Sequence, residues 1–316
     1  MAPQPQSAKL KPRALRLGYT LGIVAPASCF VREDFEAGCE ALRRMGYNPV
    51  FDESIFDRDL YFAGSAERRA RELEQMFVRD DVNAIVCARG GYGSNYLLPL
   101  LDIATIAAHP KIFIGYSDLT SLMTYLQDAA GLVTFHGPMV AKDLAQPDGV
   151  EPRAWAAALS GADPDFNFAA DSDMKALVPG SAEGVLYGGC LSMLAASLGT
   201  PYEIHTGATI LFIEDVAVKP YQIDRLLMQL KLAGKFAGVR GIVFGEMLDC
   251  GQPGNQSLSL QEVVTRVVGD LGVPVGYGLR SGHVSRANVT MPFGVAARLD
   301  VNGAGVSLRI SESATL

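Results

Sequence analysis

The first half of the chain alternates short apolar runs with amphipathic stretches, and this alternation restricts the possible folds more than any other feature. The apolar runs are LGIVAPA at 21–27, YNPVF at 47–51, NAIVCA at 83–88 and KIFIGY at 111–116. Helical spacing of apolar residues occurs between them near 32–45 and 65–79, with Ser65 at the N-cap position of the second segment. Strand and helix in repeated succession predict parallel βαβ units, whose functional loops follow the carboxyl ends of the strands.

The second half has a different pattern. Composition changes at AKDLAQPDGVEP (141–152), and the segment up to about 182 is rich in Ala, Asp and Pro without strong periodicity. After it come short β-branched runs punctuated by glycine, with one helix following Pro220. The predicted fold class is therefore α/β: an N-terminal parallel-sheet α/β domain at 1–150, a linker region at 151–182, and a β-rich C-terminal domain at 183–316.

Charge and cysteine content argue against several classes of function. A formal net charge of −7 provides no chain-wide positive field for nucleic acid or anionic lipid. No window approaches the roughly 18 apolar residues of a membrane span, and the first apolar run favours a buried strand over a signal-peptide core. We therefore expect a soluble, cytoplasmic protein that binds neither nucleic acid nor membrane. Five cysteines without a CxxC pair argue against a disulfide framework or a zinc site, so no metal or cofactor is expected.

Ser117 lies in FIGYSDLTSL, directly after an apolar strand and before a helical pattern. A sharp strand-to-helix turn would expose its hydroxyl beside free helix N–H groups, which favour developing negative charge. Two interpretations remain open from these residues alone: Ser117 is a nucleophile, or it is a helix N-cap, a place that Asp118 fills equally well. The G-x-S-x-G elbow of α/β-hydrolases is not met, because Leu119 stands at its second glycine.

The glycine-rich stretch ARGGYGSNYLL at 88–98 also follows a strand. It matches neither the dinucleotide-binding fingerprint nor the P-loop, and a tight turn is one explanation of its glycines. Consecutive βα loops of a parallel sheet end on the same edge, so Gly91 and Ser117 are expected to face one another. The backbone N–H groups of such a turn can stabilise an oxyanion beside a nucleophile.

A serine nucleophile needs a base, and the chain has four histidines. His109 and His205 lie in predicted turns. His136, in VTFHGPM, ends an apolar run and is expected to be buried. His283, in the polar loop LRSGHVSRANVTMP, is expected to stay accessible and is the preferred base, although His136 remains an alternative.

The base in turn needs an acceptor for its second ring nitrogen, usually Asp or Glu. Glu214 and Asp215 end the strongly apolar strand ATILFIED, where a half-buried carboxylate is costly without a polar partner. One of the two is expected to point toward such a partner. The alternative is that either carboxylate caps the loop before the next helix.

Six segments in the same order resemble the LD-carboxypeptidase family of serine peptidases, which includes murein tetrapeptide LD-carboxypeptidases and microcin C self-immunity peptidases. They extend from about residue 20 to about residue 305: RGGYGSNYLLPLLD, FIGYSDLTSL, LVTFHGPMV, GGCLSMLAASLGTPY, LFIEDVAVKPYQIDRLLMQL and GHVSRANVTMPFG. The resemblance implies a catalytic triad of Ser117, Glu214 and His283. It also implies that the parallel-sheet domain supplies the serine and the β-rich domain the other two residues, so that docking of the domains completes the triad.

The reaction implied by the resemblance is hydrolysis of the amide between an L-centre and a terminal D-amino acid, as in release of D-alanine from a murein tetrapeptide during wall recycling. The substrate is then a small peptide, and the expected assembly is a homodimer. The backbone N–H groups of Gly91 and Asp118 are the candidates for an oxyanion hole. Arg89 is a candidate for binding the terminal carboxylate, or alternatively braces the glycine-rich loop.

Two features depart from the family pattern and leave the substrate open. Cys190 stands where the family usually has asparagine, and the approach to His283 is more basic and polar than usual. Cys190 is not expected to be the nucleophile, because its local sequence offers nothing to lower its pKa. One alternative is cleavage of a peptidyl-nucleotide antibiotic of the microcin C type. A loop with a tryptophan that stacks on the base would favour it, but the only tryptophan, Trp155, lies in the predicted linker region. The other alternative is a non-catalytic ligand-binding protein on the same fold.

Overall fold

The first sheet contains the four strands that the apolar runs predict. In the computed structural model, which describes residues 9–161, 163, 165–170, 173–251 and 259–316, they are β1 (Thr20–Val24), β2 (Asn48–Val50), β3 (Ala84–Cys87) and β4 (Ile112–Gly115). The parallel series continues with β5 (Thr134–His136), and the helices are α1 (Arg32–Arg44), α2 (Ala66–Val78), α3 (Ile103–Ala108) and α4 (Thr120–Ala130). The predicted succession of parallel βαβ units is confirmed.

The remaining elements of the chain build a second sheet and its helices. In chain order they are α5 (Pro152–Ser160), β6 (Lys175–Val178), β7 (Gly180–Cys190), α6 (Leu191–Ala196), β8 (Thr209–Glu214), α7 (Pro220–Leu232), β9 (Gly241–Gly245), α8 (Leu260–Val268), β10 (Val275–Leu279), β11 (Met291–Phe293), β12 (Ala296–Asn302) and β13 (Gly305–Ile310). The segment predicted as a linker region holds α5 and β6. The domain bounds themselves stay predictions.

The second sheet is mixed and has the strand order β13-β12-β7-β8-β9-β10-β6. Its four central strands, β7 to β10, run parallel, while β12, β13 and β6 pair antiparallel at the two sides. The C-terminal half is strand-rich, as predicted, but α6 and α8 accompany the single helix that the sequence predicts. Parallel neighbours require such crossovers, because a short hairpin cannot join them.

Helix α8 shows why the sequence pattern was incomplete. Its sequence LQEVVTRVV is rich in valine, which favours strands. A capping box formed by Ser259 and Glu262 nevertheless starts a helix, and Val263, Val264 and Val267 fall on one buried face at helical spacing. The tertiary packing of this apolar face outweighs the local β propensity.

Strand β11 joins the first sheet although it lies late in the sequence. It pairs antiparallel with β5, with Met291 opposite His136, and so completes the order β11-β5-β4-β3-β1-β2. Pro292 is tolerated because β11 is the edge strand. Since β11 follows the loop that carries His283, this pairing fixes that loop beside the carboxyl end of β5.

One apolar cluster connects the two sheets. It contains the core of the first sheet and also Leu186, Phe212 and Leu279, which belong to β7, β8 and β10. A separate cluster fills the space between the other face of the second sheet and helices α6, α7 and α8. The position of one sheet relative to the other is therefore held by buried apolar contact. Among the described residues, no helix has both the length and the apolar character of a membrane span.

Candidate active site

Ser117 lies at a strained turn between β4 and α4. Its φ is +66°, a left-handed conformation that is uncommon outside glycine and asparagine. A short 3₁₀ turn at Ser117–Leu119 then leads directly into α4. Within the described part of the chain the Ser117 hydroxyl makes no hydrogen bond, so it caps no helix there. Non-glycine residues held at positive φ cluster at functional sites, because only surrounding structure maintains the strain.

The glycine-rich loop lies directly against this serine. A Cβ atom on Gly90 would stand 2.9 Å from the Ser117 Cβ and 3.2 Å from its hydroxyl oxygen, so only glycine permits the approach. Ser28, in the loop after β1, holds the glycine-rich loop by donating its N–H to the Gly90 carbonyl at 3.2 Å. Its hydroxyl also accepts from the Tyr92 N–H at 3.0 Å. The loops after β1, β3 and β4 thus meet at one edge of the sheet.

Asp118 joins the glycine-rich loop to the serine turn. Its carboxylate accepts from the Ser94 N–H at 2.8 Å, and its carbonyl accepts from the Ser94 hydroxyl at 2.6 Å. Burial raises the pKa of Asp118, and the hydrogen bonds from Ser94 oppose that rise. In the described residues the backbone N–H groups of Gly91 and Asp118 donate to no protein acceptor. Both N–H groups therefore remain available to a ligand.

Glu214 and His283 form a buried pair across the second sheet. The Glu214 Oε2 atom is 2.8 Å from His283 Nδ1 and accepts the His283 backbone N–H at 3.0 Å. Glu214 is fully buried and the His283 side chain is 13% exposed. Because a carboxylate only accepts hydrogen bonds, Nδ1 carries the ring proton and Nε2 is left as the basic nitrogen.

Asp215, the neighbouring carboxylate, points elsewhere. It accepts from the backbone N–H and the hydroxyl of Ser192, at 2.9 and 2.6 Å. Successive side chains of a strand alternate between its two faces, so only one of the two carboxylates can reach His283. The choice between Glu214 and Asp215 that the residues alone left open is thus resolved by side-chain direction: Glu214 contacts the imidazole.

Two contacts bring this pair to the serine turn. The ring of Tyr116, the residue before Ser117, stands edge-on to the His283 ring with centroids 5.0 Å apart. At the end of β7, the Cys190 N–H donates to the hydroxyl of Thr120, the first residue of α4, at 3.0 Å. The turn that carries Ser117 therefore lies against the loop that carries His283 and against the carboxyl end of β7.

His136, the alternative base, is enclosed. It is 0% exposed, and its Nδ1 lies 2.8 Å from the Ser281 hydroxyl. Burial, together with the charge of the neighbouring His283, lowers the pKa of His136 to about 3. A Cβ on Gly282 would meet both the His136 ring at 2.9 Å and the Glu214 carboxylate at 2.8 Å. His136 thus lies behind the Glu214–His283 pair as a neutral ring.

The environment of His283 predicts a pH dependence. Burial lowers the pKa of His283, but the charge and hydrogen bond of Glu214 raise it more, so the net pKa lies above the ordinary value of about 6.5. If neutral His283 is the base, kcat/KM rises with pH and reaches half its maximum above about pH 6.5. The free energy of unfolding changes with pH in the opposite direction to kcat/KM. The protonated His283 ring stabilises the folded state fully below about pH 6.5, and this contribution is lost as the pH rises through the folded-state pKa.

A pH profile of kcat/KM, measured on the murein tetrapeptide that the family resemblance implies as substrate, checks this prediction. The variant His205→Ala is the control, because His205 is 78% exposed and pairs with Asp128 away from Ser117. It should reproduce the wild-type profile. An acidic midpoint below pH 6, or the absence of an acidic limb, would contradict a base with a raised pKa.

Arg89 and Cys190 were the two further residues singled out from the sequence. The Arg89 Nη1 donates to the Cys29 carbonyl at 3.1 Å, which is the contact that bracing of the loop requires, while its exposed side chain leaves binding of a carboxylate as a prediction. Cys190 is buried, and burial raises the pKa of its thiol well above the ordinary value. The described ranges contain no group of three His, Cys, Asp or Glu side chains able to hold a metal ion.

Four polar residues around the site were not anticipated: Ser28, Ser94, Thr120 and Ser281. Each acts through a hydrogen bond to a residue at least 24 positions away in the chain. No local pattern marks such a residue. Ser94, Thr120 and Ser281 stand inside stretches that the sequence singled out, but nothing in those stretches marks their partners, and Ser28 lies outside all of them.

Comparison with known proteins gives matches over most of the chain. The model of the LD-carboxypeptidase N-terminal domain matches residues 21–137, and that of the LD-carboxypeptidase C-terminal domain matches residues 183–299. A probable murein peptide carboxypeptidase of Bacillus subtilis is 38% identical over 93% of this chain and 92% of its own. The microcin C7 self-immunity protein MccF of Escherichia coli is 30% identical over 96% of each chain. The crystal structure of muramoyltetrapeptide carboxypeptidase from Oxalobacter formigenes superposes with a TM-score of 0.81 at 28% identity, covering 93% of this chain and 99% of that one.

Proposed function

Because the chain belongs to the LD-carboxypeptidase family, we propose that it is a serine peptidase that releases the terminal D-alanine from murein tetrapeptides. The observation that carries this proposal is the buried Glu214–His283 pair facing the strained turn of Ser117. The names of the related murein peptide and muramoyltetrapeptide carboxypeptidases support the substrate class. Cell-wall recycling, a cytoplasmic location and a homodimeric assembly are parts of the same proposal.

The first half of the proposed reaction is acylation. The Ser117 hydroxyl oxygen attacks the carbonyl carbon of the amide between the L-centre of diaminopimelate and D-alanine, and His283 Nε2 takes the hydroxyl proton. Glu214 holds the imidazole through Nδ1 and stabilises the imidazolium. His283 then gives the proton to the departing nitrogen, the C–N bond breaks, and D-alanine leaves from a Ser117 ester.

The second half is hydrolysis of that ester. A water molecule gives its proton to His283 as its oxygen attacks the ester carbonyl, and the returning proton restores the Ser117 hydroxyl. In both halves the tetrahedral oxyanion accepts from the Gly91 and Asp118 N–H groups, which have no other acceptor among the described residues. Each such donor is worth roughly 3 to 4 kcal/mol of barrier.

The relationship to MccF supports a second candidate, cleavage of a peptidyl-nucleotide antibiotic of the microcin C type. A stacking tryptophan over the base would favour it. Trp155, the only tryptophan of the chain, is 3% exposed in α5 and donates its ring N–H to the Tyr47 hydroxyl at 3.3 Å. It therefore offers no face to a nucleobase, and we place the murein peptide first.

Mass spectrometry of the purified protein incubated with a murein tetrapeptide tests the proposal. The expected result is loss of one alanine from the peptide and appearance of free D-alanine. A tetrapeptide ending in L-alanine is the matched control and should stay intact, because the proposed bond has a D-configured leaving residue. Cleavage of a peptidyl-nucleotide with no cleavage of the tetrapeptide would shift the assignment to the second candidate.

A further inference from the structure

A buried arginine outside the proposed triad connects the loops around Ser117. Arg69, on α2, is 1% exposed. Its guanidinium donates to three backbone carbonyls: to Gly64 at 3.2 Å, to Pro26 at 2.6 Å and to Gly93 at 2.9 Å. These carbonyls belong to the segment before α2, the loop after β1 and the glycine-rich loop after β3. One side chain thus fixes three separate segments.

The burial of this charge is costly and needs an explanation. Within the described residues Arg69 makes no ion pair within 4.0 Å, and the charges of Asp118, Asp59 and Glu67 reach its guanidinium only from farther away. The loss of water is compensated by the carbonyl dipoles, by these more distant carboxylates and by the ring of Phe62, whose centroid lies 4.8 Å from the guanidinium carbon. A methionine would fill similar space without a charge, so filling the core does not require an arginine.

The glycine-rich loop cannot maintain its own geometry. Positions 90, 91 and 93 are all glycine, and Gly91 and Gly93 adopt φ values of +96° and +128°. Glycine loses more conformational freedom on folding than any other residue, so contacts from outside must select one conformation. Those contacts are the bonds from Ser28, the bonds between Ser94 and Asp118, and the bond from Arg69 to the Gly93 carbonyl.

The direction of the Gly91 N–H depends on these contacts. Gly91 stands between Gly90, which packs on Ser117, and Tyr92, which Ser28 holds. The Gly93 carbonyl is the next point of attachment toward the C-terminus: it accepts from the Arg69 guanidinium at 2.9 Å and from the Tyr96 N–H at 3.3 Å. Loss of the Arg69 bond leaves that carbonyl only the longer bond from Tyr96 and weakens the hold on the peptide groups of residues 91–93, and a misplacement of about 1 Å at a catalytic group can cost about a hundredfold in rate.

We propose that Arg69 is a positioning residue of the active site. It holds the glycine-rich loop so that the Gly91 N–H points at the oxyanion of the tetrahedral intermediates that precede and follow the Ser117 ester. This inference rests on the proposed function. Lysine cannot replace the arginine, because its ammonium is a point donor, whereas the guanidinium reaches carbonyls in two directions at once. The effect is expected on kcat rather than on KM, because an oxyanion forms only in the transition state and the intermediates that follow it.

The test compares Arg69→Met and Arg69→Lys with wild type in D-alanine release from a murein tetrapeptide. Both variants are expected to lose about ten- to a hundredfold in kcat with KM changed less than about threefold. Leu73→Ala is the control for lost stability, since Leu73 is a fully buried residue of the same helix that makes none of these contacts. At a temperature where Tm measurements show all variants folded, Leu73→Ala should keep kcat within about twofold of wild type.

Three results would overturn the inference: unchanged kcat in both Arg69 variants, a kcat for Leu73→Ala as low as theirs, or a loss that lies only in KM.

The rate at which a small fluorophosphonate phosphonylates Ser117 separates this inference from the substrate proposal. In that reaction the Ser117 oxygen forms an O–P bond, its proton goes to His283, and the P–F bond breaks to release fluoride. It uses the same oxyanion site without a peptide. Wild-type labelling without tetrapeptide cleavage would reject the substrate, while slower labelling of Arg69→Lys would still support the role of Arg69. Absence of Ser117 labelling in wild type would reject both.

Discussion

Ser117→Ala is expected to lower kcat for D-alanine release by about four to six orders of magnitude while the fold stays intact. The hydroxyl is the proposed nucleophile, so its removal takes away the oxygen that forms the ester. Stability should hardly change, since the hydroxyl makes no hydrogen bond among the described residues and alanine meets the same φ restriction as serine. Steady-state D-alanine assays and thermal unfolding measure the two effects separately.

A second substitution at the same position tests the backbone strain at Ser117. Ser117→Gly removes the Cβ at φ +66° and is expected to be as inactive as the alanine variant, yet more stable than wild type by about 1 kcal/mol. Ser121→Ala is the matched control, because Ser121 lies on the next turn of α4 and is not part of the proposed chemistry. Retained activity in Ser117→Ala, or an equal loss in Ser121→Ala, would reject Ser117 as the nucleophile.

The alternation of apolar runs and helical segments predicted the first sheet because both periods are local. Ser65 illustrates this: its side chain accepts from the Arg68 N–H three residues later, as an N-cap should. Gly90 and Ser117 could likewise be expected to approach each other, since parallel strands end at one edge. What local pattern could not give is the conformation of Ser117, because no glycine or asparagine marks its positive φ.

The second half was harder to predict, since its organisation depends on contacts distant in sequence. The sequence predicts β11 as one more strand of the C-terminal domain, but it pairs with β5, which lies more than 150 residues earlier in the chain. Arg69 is one of several charged residues in an amphipathic helix, and nothing local distinguishes it from its exposed neighbours, although it is almost fully buried. The carboxylate partner of His283 could not be chosen from an adjacent Glu-Asp pair without the direction of each side chain. Here the family resemblance pointed to Glu214, the carboxylate that contacts His283.

His283→Asn is expected to lower kcat by about four to six orders of magnitude, comparable to the loss of the serine, because a nucleophile and its base act as one unit. Asparagine is chosen for a structural reason. Its side-chain amide can still donate to Glu214 from about the position of Nδ1, so the fully buried carboxylate keeps a partner, whereas alanine would leave it short of one. What asparagine lacks is the second nitrogen, Nε2, that takes the proton of Ser117.

The same substitution at His136 decides between the two candidate bases. His136→Asn keeps a polar partner for Ser281, and we expect kcat to fall by no more than about tenfold, through slight displacement of Gly282 and the Glu214–His283 pair behind which His136 lies. A ring whose pKa is about 3 is too weak a base to accept the serine proton at neutral pH. If kcat instead fell further in His136→Asn than in His283→Asn, with both variants folded by circular dichroism, the roles of the two histidines would have to be exchanged. His283, held by Glu214, would then be a support for the site rather than its base.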